Sequence, residues 1–240
     1  MPPTSISSKH LSAFDDFLTD ILVDKLYFWI VTNKVRAHKP VRGINAEAVV
    51  ELLQKHIVTE FKPAAALDAF VGIRAVANYV GSIRNDKRRL NEFLRHTKRY
   101  LQMYGAEAGF EICTTDRYFA VSQRSEACVL ARRDFRAGEE IKHLSGRMVL
   151  LTDDDEQELL NRKRDFSVIY STRLDGNCLM LGPCRFVNHD CEPSCKFVSG
   201  GHSMKLVALR KIHQNEEITV EYSKNYFGTG NKECMCKTCE

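Results

Sequence analysis

The chain closes with Cys234-Met-Cys236-Lys-Thr-Cys239, so three thiols fall within six residues. Thiolates at this density suit zinc, which prefers four nitrogen or sulfur ligands arranged as a tetrahedron. Six residues cannot supply the fourth ligand from within the segment, so that ligand must come from elsewhere in the chain. The pattern therefore predicts a closed, structural zinc site that holds the tail against another part of the fold.

Two cysteines qualify as the fourth ligand. Cys191 and Cys195 lie four residues apart, and the residues alone leave the choice between them open. The alternative interpretation of the tail is a set of free surface thiols. Disulfides are not expected, because nothing in the sequence marks the chain for secretion. The other cysteines stand singly in apolar surroundings, as small buried hydrophobes do: Cys113, Cys128, Cys178 and Cys184.

Helical periodicity dominates the first part of the chain, and residues 33–43 interrupt it as a loop. The third predicted helix is apolar nearly all round, which predicts burial on most sides, and Gly81 would end it. Together these segments predict a helical bundle over residues 10–105. The four predicted helices are residues 13–23 with Ser12 as N-cap, a second capped by Asn45, a third from Pro63 to about Val80, and a fourth from Arg84 to Tyr104.

Short runs of β-branched and aromatic residues replace this periodicity after Gly105. Polar turns separate the runs, and one modest helix is predicted at roughly residues 154–163. The pattern predicts a β-rich domain of small sheets packed against the helical bundle, an α+β fold. The main predicted strands are residues 110–113, 118–121, 127–131, 148–151, 166–172, 178–181, 195–198, 206–209 and 218–220.

The composition is that of an ordinary globular protein. Hydrophobic residues make up 44% of the 240 residues and charged residues 28%, which argues against disorder. The formal net charge of +4 does not single out a class of partner. The N-terminus lacks the features of a signal peptide, and no apolar run approaches the roughly 20 residues of a membrane span. We therefore expect a soluble, intracellular chain without membrane contact.

Two polar motifs precede the cysteine tail. Asn188-His189 follows Arg185-Phe-Val, and Asn215-Glu-Glu-Ile-Thr-Val-Glu-Tyr222 comes next along the chain. This order resembles the SET domain, the fold of a family of protein-lysine methyltransferases. The resemblance implies that the Asn188-His189 segment threads beneath the C-terminal segment in a pseudoknot. It also implies that both residues contact S-adenosylmethionine, and that Cys191 joins the three tail cysteines around Zn²⁺.

Tyr222 is the position that matches the family's catalytic tyrosine. Methyl transfer from a sulfonium to an amine is an in-line displacement that requires a neutral lysine. The enzyme must desolvate that lysine and align its lone pair with the methyl group, and a tyrosine hydroxyl near the methyl group helps to fix this line. The structural alternative is a core tyrosine at the end of a strand.

A further stretch narrows the resemblance. Asp165-Phe-Ser-Val-Ile-Tyr-Ser-Thr-Arg173, together with Leu181-Gly-Pro and Phe227-Gly228, is similar to the Suv4-20 class of SET enzymes, which methylate histone H4 at lysine 20. The class also carries a helical N-terminal domain. The resemblance implies a helical domain over residues 1–105, a SET domain over 106–230 and a zinc-bound post-SET tail over 231–240.

The same resemblance assigns roles to single residues. Phe166, Ser167 and Tyr170 would line the channel for the substrate lysine, and the small Ser167 would leave room beside an already methylated amine. Ala127 and Arg173 would contact the cofactor, although a surface arginine at a strand end is the alternative for Arg173. Ala127-Cys128 departs from the family, because many SET domains carry Gly-x-Gly there.

The expected function is transfer of methyl groups to histone H4 in the nucleus, on chromatin. The basic residues 84–99 would contact nucleosomal DNA phosphates, or would simply form a solvated helix face. Two alternatives stay open: a non-catalytic chromatin reader stabilised by zinc, and a SET methyltransferase acting on another lysine. The residues leave the oligomeric state open.

Overall fold

The computed structural model describes residues 6–27, 30–222 and 226–240. Within these ranges no helix is both long enough and apolar enough to cross a bilayer. The helices α1 and α2 each continue as a π-helical turn, over Asp20–Asp24 and Gln54–Thr59. The α-helices are α1 Ser8–Thr19, α2 Ala46–Leu53, α3 Pro63–Gly72, α4 Arg74–Ile83, α5 Lys87–Gln102, α6 Phe119–Ser122 and α7 Asp153–Asn161.

The helix starts follow local capping chemistry. The Asn45 side chain accepts hydrogen bonds from the backbone of α2, which confirms the predicted cap. The predicted N-cap Ser12 is wrong, because Ser7 caps α1 and Ser12 lies inside the helix. The Ser12 hydroxyl instead donates to the Ser8 carbonyl one turn earlier, at 2.7 Å. Similarly, α5 begins at Lys87 because the Asp86 side chain caps it.

The third predicted helix is two helices. Ile73 has an extended backbone (φ −62°, ψ 126°), which separates α3 from α4. Gly81 lies inside α4 and does not end it. The predicted burial on most sides is also wrong: Ala66 and Phe70 are the buried residues of α3, and Val76 and Ile83 those of α4. The break at Ile73 therefore leaves two short helices, each with only two buried residues.

The strands form two sheets among the described residues. β1 and β2 pair antiparallel, and the other seven strands lie in the order β4-β5-β3-β8-β7-β9-β6. The predicted strand at 118–121 is wrong, because pairing of β1 with β2 stops at Thr115 and Glu126, and the intervening segment forms the short helix α6. The strands are β1 Phe110–Thr115, β2 Glu126–Ala131, β3 Glu140–Leu150, β4 Val168–Ser171, β5 Gly176–Leu181, β6 Asn188–His189, β7 Cys195–Gly200, β8 Ser203–Ala208 and β9 Thr219–Val220.

The C-terminal strand β9 lies between two strands that precede it closely in the sequence. It runs parallel to β6 on one side and to β7 on the other, with Val220 paired to both His189 and Cys195. The loop that joins β6 to β7 therefore crosses β9, and the C-terminal segment is threaded between these two strands. Threading of this kind is rare in proteins, and it is the pseudoknot that the motif order implies.

One buried carboxylate joins the helical half of the chain to the strand-rich half. Asp15 on α1 is fully buried and accepts hydrogen bonds from His96 Nε2 (2.9 Å) and Tyr100 Oη (2.6 Å) of α5. From the other half, the Gly182 backbone N–H (2.9 Å) and the Arg185 guanidinium donate to the same carboxylate. The Arg185 side chain is only 2% exposed, so a desolvated ion pair lies in this interface.

The pKa values of this cluster follow from burial and charge. Burial by itself would raise the pKa of Asp15, but the positive charge of Arg185 and the hydrogen bonds from His96 and Tyr100 hold that pKa well below its usual value of 3.8. Burial lowers the pKa of His96 below 6.5 despite the adjacent carboxylate. The His96 imidazole is therefore neutral, with its proton on Nε2 toward Asp15.

Residues 30–43, called here the strap, have no helix or strand and run back along α1. Three carboxylates at four-residue spacing, Asp16, Asp20 and Asp24, hold the strap because this spacing places them on one helix face. The strap therefore has a fixed path, although it is a loop. Its backbone N–H groups donate from Val35 and Arg36 to Asp16, from Val41 to Asp20, and from Thr32 to Asp24, at 2.6–2.9 Å.

Removing the buried carboxylate should destabilise the whole chain. We expect Asp15→Ala to lower the free energy of unfolding by about 3–5 kcal/mol, because it leaves the Arg185 charge buried and unpaired. Urea denaturation followed by circular dichroism measures this change. Asp68→Ala, an exposed aspartate on α3, is the matched control and should change stability by less than about 0.5 kcal/mol. Equal effects in the two variants would contradict the assigned role.

The neutral, buried His96 should make stability depend on pH. Its folded pKa is lowered, so below about pH 6.5 the unfolded chain takes up a proton that the folded chain does not. We expect stability to fall as pH drops from 7 toward 5, by at most about 1.4 kcal/mol per pH unit from this group. His96→Gln keeps a donor for Asp15 and should show a shallower decline. A parallel decline in the two proteins would exclude His96 as the source.

Candidate active site

A cavity of about 410 Å³, called here the main cavity, lies where the strap meets the motif segments. Its size falls within the roughly 300–1,000 Å³ that is usual for small-molecule sites. The structure brings five of the predicted site residues to its wall: Ala127, Phe166, Asn188, His189 and Tyr222.

A second, narrow pocket of about 20 Å³, called here the side channel, adjoins the main cavity. Phe166, Tyr222 and Tyr226 line both spaces, so the two meet at these rings. Ser167 lies in the wall of the channel, and its buried hydroxyl has no hydrogen-bond partner. The channel has room for about one water-sized group next to that hydroxyl.

Tyr222 stands between the two spaces with its hydroxyl fixed. The hydroxyl donates to the Val187 carbonyl oxygen at 2.6 Å. Burial raises the pKa of Tyr222 well above its usual value of 10, so the phenol stays protonated. Its ring is part of an aromatic group with His189, Tyr226 and Phe227, whose ring centroids lie 4.8–6.4 Å apart. The site is therefore apolar and rigid around one oriented hydroxyl.

His189 connects this tyrosine to the cysteines. Its Nδ1 accepts the Tyr222 backbone N–H at 3.2 Å, which places the ring proton on Nε2. Nε2 lies 3.4 Å from the Cys191 sulfur, to which it donates. Burial lowers the pKa of His189 below 6.5, in keeping with a neutral ring. A single imidazole thus fixes the positions of Tyr222 and Cys191 relative to each other.

Asn188 serves as a brace between strands. Its amide nitrogen donates to the Ala127 carbonyl of β2 at 3.1 Å and to the Glu217 carboxylate at 3.0 Å. Glu217 in turn pairs with Arg117 at 3.0 Å. The amide therefore holds β2 against β6 and keeps the backbone around Ala127 at the cavity wall.

The tail cysteines gather around Cys191. The Cys191 sulfur lies 3.5 Å from that of Cys239 and 3.9 Å from that of Cys234, and the Cys236 sulfur accepts the Cys191 backbone N–H. The ligand atoms of His189, Cys191, Cys234 and Cys236 lie within 4.8 Å of one another. Cys195 lies elsewhere, buried in β7 beside Ser194.

Two predicted site residues lie outside both spaces. Tyr170 is 62% exposed, and its hydroxyl donates to Asp175 at 2.8 Å. Arg173 is exposed in the turn between β4 and β5. Neither residue is among those that line the main cavity or the side channel.

Two parts of the site escaped the sequence analysis. Arg185 lies under the Phe166 ring, 4.8 Å from its centroid, and lines both spaces. The strap adds Val31, Thr32 and Asn33 to the main cavity. Arg185 lies three residues before Asn188, but its partner Asp15 is 170 residues away, so no local signal pairs them.

Comparisons with known proteins show what this chain is similar to. The SET domain family matches residues 126–223. Over 98% of its length the chain is 42% identical to "Histone-lysine N-methyltransferase SET9" of Yarrowia lipolytica, and over 96% it is 40% identical to the set9 protein of Aspergillus terreus. The chain spans only 28% and 36% of these relatives. The Neurospora SET domain protein DIM-5, a solved histone lysine methyltransferase, aligns over 40% of this chain and 48% of its own at 18% identity, with a TM-score of 0.32.

The threaded β6–β9 arrangement, the motif residues at the cavity and the family match define a SET domain. Residues 126–223 therefore form a SET domain. Along nearly its whole length the chain is also similar to fungal proteins named SET9 histone-lysine N-methyltransferases.

Proposed function

We propose that the chain transfers methyl groups from S-adenosylmethionine to lysine 20 of histone H4, acting on chromatin in the nucleus. The observation that carries this proposal is the meeting of the main cavity and the side channel at Tyr222. The main cavity has the volume of a cofactor site, and the side channel, at about 20 Å³, would receive only the amine end of a lysine side chain. The names of the relatives support a histone substrate, and the Suv4-20-like stretch 165–173 supports the lysine 20 site.

The lining of the main cavity suits S-adenosylmethionine. The His189 and Phe227 rings offer faces for an adenine, and the Asn188 brace presents the Ala127 backbone to the ligand. When bound, the cofactor supplies an electrophilic methyl group on a sulfonium. Ala127 takes the place of the glycine usual in the family, and the backbone of β2 still reaches the cavity there.

The side channel would prepare the lysine. Phe166, Tyr222 and Tyr226 exclude water, which favours the neutral amine over the ammonium ion. The protonated Tyr222 hydroxyl, held by the Val187 carbonyl, fixes the point where the channel opens toward the cofactor. Alignment of this kind accounts for a large part of the rate of a displacement reaction.

Ser167 would set the number of methyl groups. Its unpaired hydroxyl can bind a water or leave that volume to a methyl group on the amine. Space of this kind fits an enzyme that adds second or third methyl groups. The exposed Tyr170 would then contribute outside the channel, where the substrate peptide approaches.

Helix α5 offers a surface for nucleosomal DNA. Its buried face consists of Phe93, His96, Thr97, Tyr100 and Leu101, and its basic residues lie mainly on the opposite side. Arg88, Arg95 and Lys98 are exposed there. Contacts with phosphates would make nucleosome binding weaken steeply with salt.

We further propose that Cys191, Cys234, Cys236 and Cys239 bind one structural Zn²⁺. Four sulfurs at about 2.3 Å from a tetrahedral zinc lie about 3.8 Å apart, which agrees with the 3.5 and 3.9 Å separations from Cys191. His189 Nε2 carries a proton and donates to the Cys191 sulfur, so the imidazole supports the ligand set without joining it.

Zinc content tests the ligand set directly. We expect one zinc per chain in the purified protein and its loss in Cys191→Ser, measured by mass spectrometry of metals. Cys195→Ala is the matched control and should keep the zinc, because that thiol lies outside the cluster. Chelation should also release the tail and abolish binding of S-adenosylhomocysteine. Zinc retained by Cys191→Ser would refute the proposed set.

Methyl transfer tests the enzyme and its substrate together. Nucleosomes incubated with the protein and S-adenosylmethionine should gain methyl groups at lysine 20 of histone H4, measured by mass spectrometry. Tyr222→Phe should slow this by about 100-fold, since it removes the oriented hydroxyl. Tyr79→Phe, a ring packed on Phe17 outside both spaces, should act as the unchanged protein does.

Other outcomes of this experiment discriminate among the alternatives. Methyl gain at another lysine would support the methyltransferase activity but contradict lysine 20 as its target. No transfer by a folded, zinc-loaded protein would favour a chromatin reader. Repeating the assay at higher salt tests whether α5 contacts DNA. Methylation of nucleosomes should fall as salt rises, whereas methylation of a free H4 peptide should stay about the same.

A further inference from the structure

Positive charge is concentrated where α5 packs against β3. Arg95 and Arg99 lie four residues apart on α5, so they share one face of that helix. Arg147 of β3 approaches the same face, because its guanidinium lies 3.4 Å from the Glu92 carboxylate of α5. Three guanidiniums and one carboxylate therefore meet at this contact. These four residues are called here the arginine seam.

The single carboxylate does not serve all three arginines. Glu92 pairs with Arg95 at 3.2 Å and with Arg147 at 3.4 Å, whereas in the described part of the chain Arg99 has no ion pair. Arg99 Nη1 and Arg147 Nε are both buried, and neither has a hydrogen-bond partner there. A buried, charged donor without an acceptor costs free energy. The seam therefore lacks a negatively charged acceptor.

Burial and charge both act on the two inner arginines. The Arg147 side chain is only 13% exposed, and burial is the main cause that lowers its pKa below the usual value of 12.5. Burial, and then the positive charge of Arg147, lower the pKa of Arg99 in the same way. Arginine nevertheless stays charged at neutral pH. The Arg95 side chain is 72% exposed, so the seam opens to solvent at that end.

A phosphate group suits this arrangement. Each guanidinium presents its N–H donors as a planar fork, and two forks can bind different oxygens of one phosphate. The carboxylate already present reaches Arg147 but forms no ion pair with Arg99. Lys98 is exposed on the same helix, and together with Arg95 it would attract a polyanion to this edge of α5.

We propose that Arg99 and Arg147 form a phosphate-binding site and that a backbone phosphate of nucleosomal DNA occupies it. The phosphate accepts hydrogen bonds from both guanidiniums, while Arg95 and Lys98 contact neighbouring phosphates from the exposed part of α5. This inference rests on the proposed contact of α5 with DNA and deepens it. It adds a residue of β3 to that surface and assigns one phosphate to a defined place.

Binding of a short DNA duplex, measured by fluorescence anisotropy over a range of salt concentrations, tests the site. Arg99→Met and Arg147→Met keep an apolar stem and remove the charge. Each should weaken binding by about tenfold, since charged hydrogen bonds are lost. The double variant should weaken it little further, because both arginines contact one phosphate. Its slope of log affinity against log salt should be shallower by about 1.

Arg162→Met is the matched control. It removes the same charge from an arginine at the end of α7 whose side chain is 53% exposed, and it should leave affinity and slope nearly unchanged. Seam variants that bind DNA as Arg162→Met does overturn the phosphate site. If Arg95→Met still weakens binding in that case, the proposed DNA surface on α5 is retained without the seam.

Folding stability separates a binding role from a structural one. Because the two inner charges repel each other and lack acceptors, Arg99→Met and Arg147→Met should resist urea as well as the unchanged protein or better. Inorganic phosphate should raise the melting temperature of the unchanged protein more than chloride does at equal ionic strength, and the double variant should lose this difference. Destabilised variants, with no phosphate-specific effect on the unchanged protein, would show a structural pair and overturn the proposal.

Two further outcomes separate this site from the proposed function. The arginine seam lies outside the residues that line the main cavity and the side channel, so its variants should methylate free H4 peptide normally and nucleosomes more slowly. A phosphate-specific effect in a protein that does not bind the duplex overturns DNA as the ligand. Seam-dependent DNA binding by a protein without transferase activity supports the site and refutes the proposed methyl transfer alone.

Discussion

The ion pair between Asp15 and Arg185 is the interaction on which the rest of the structure depends. Burying two charges costs more than their attraction returns unless every remaining hydrogen-bonding position is filled. Here His96, Tyr100 and the Gly182 backbone fill those positions on the carboxylate. The pair therefore holds only when α1, α5 and the turn after β5 are all in place, and it makes the two halves of the chain one cooperative unit.

The same pair organises the cavity. Gly182 has φ +111°, and a Cβ there would lie 3.1 Å from the Ser145 carbonyl oxygen, so only glycine brings this backbone so close to Asp15. The turn then places Arg185 under Phe166, where the guanidinium also reaches the strap. An arginine that stabilises the interface between the helical and strand-rich halves thus also forms part of one wall of the site. The packing of the two halves and the shape of the cavity therefore cannot vary independently.

The sequence predicted what depends on neighbouring residues and missed what depends on distant ones. The Asn45 cap, the strand-rich second half and the cluster of Cys191 with the tail follow from short motifs or the family resemblance, and the structure contains them. Residues 118–121 have strand-like composition but no partner strand, so composition misled there. Nothing in the sequence around Asp15 indicates a buried ion pair, because its partners lie 81 to 170 residues away.

His189 links the cysteine cluster to Tyr222 through its two ring nitrogens. The imidazole has two nitrogens, and the Tyr222 backbone N–H occupies one of them, which forces the proton of the other toward Cys191. A thiolate bound to a metal is a strong, fixed acceptor for that proton. If the cysteines were unligated, the sulfur could rotate or protonate, and the imidazole would lose its orientation. Because the same ring accepts the Tyr222 backbone N–H, loss of the cysteine cluster would also loosen the backbone at Tyr222.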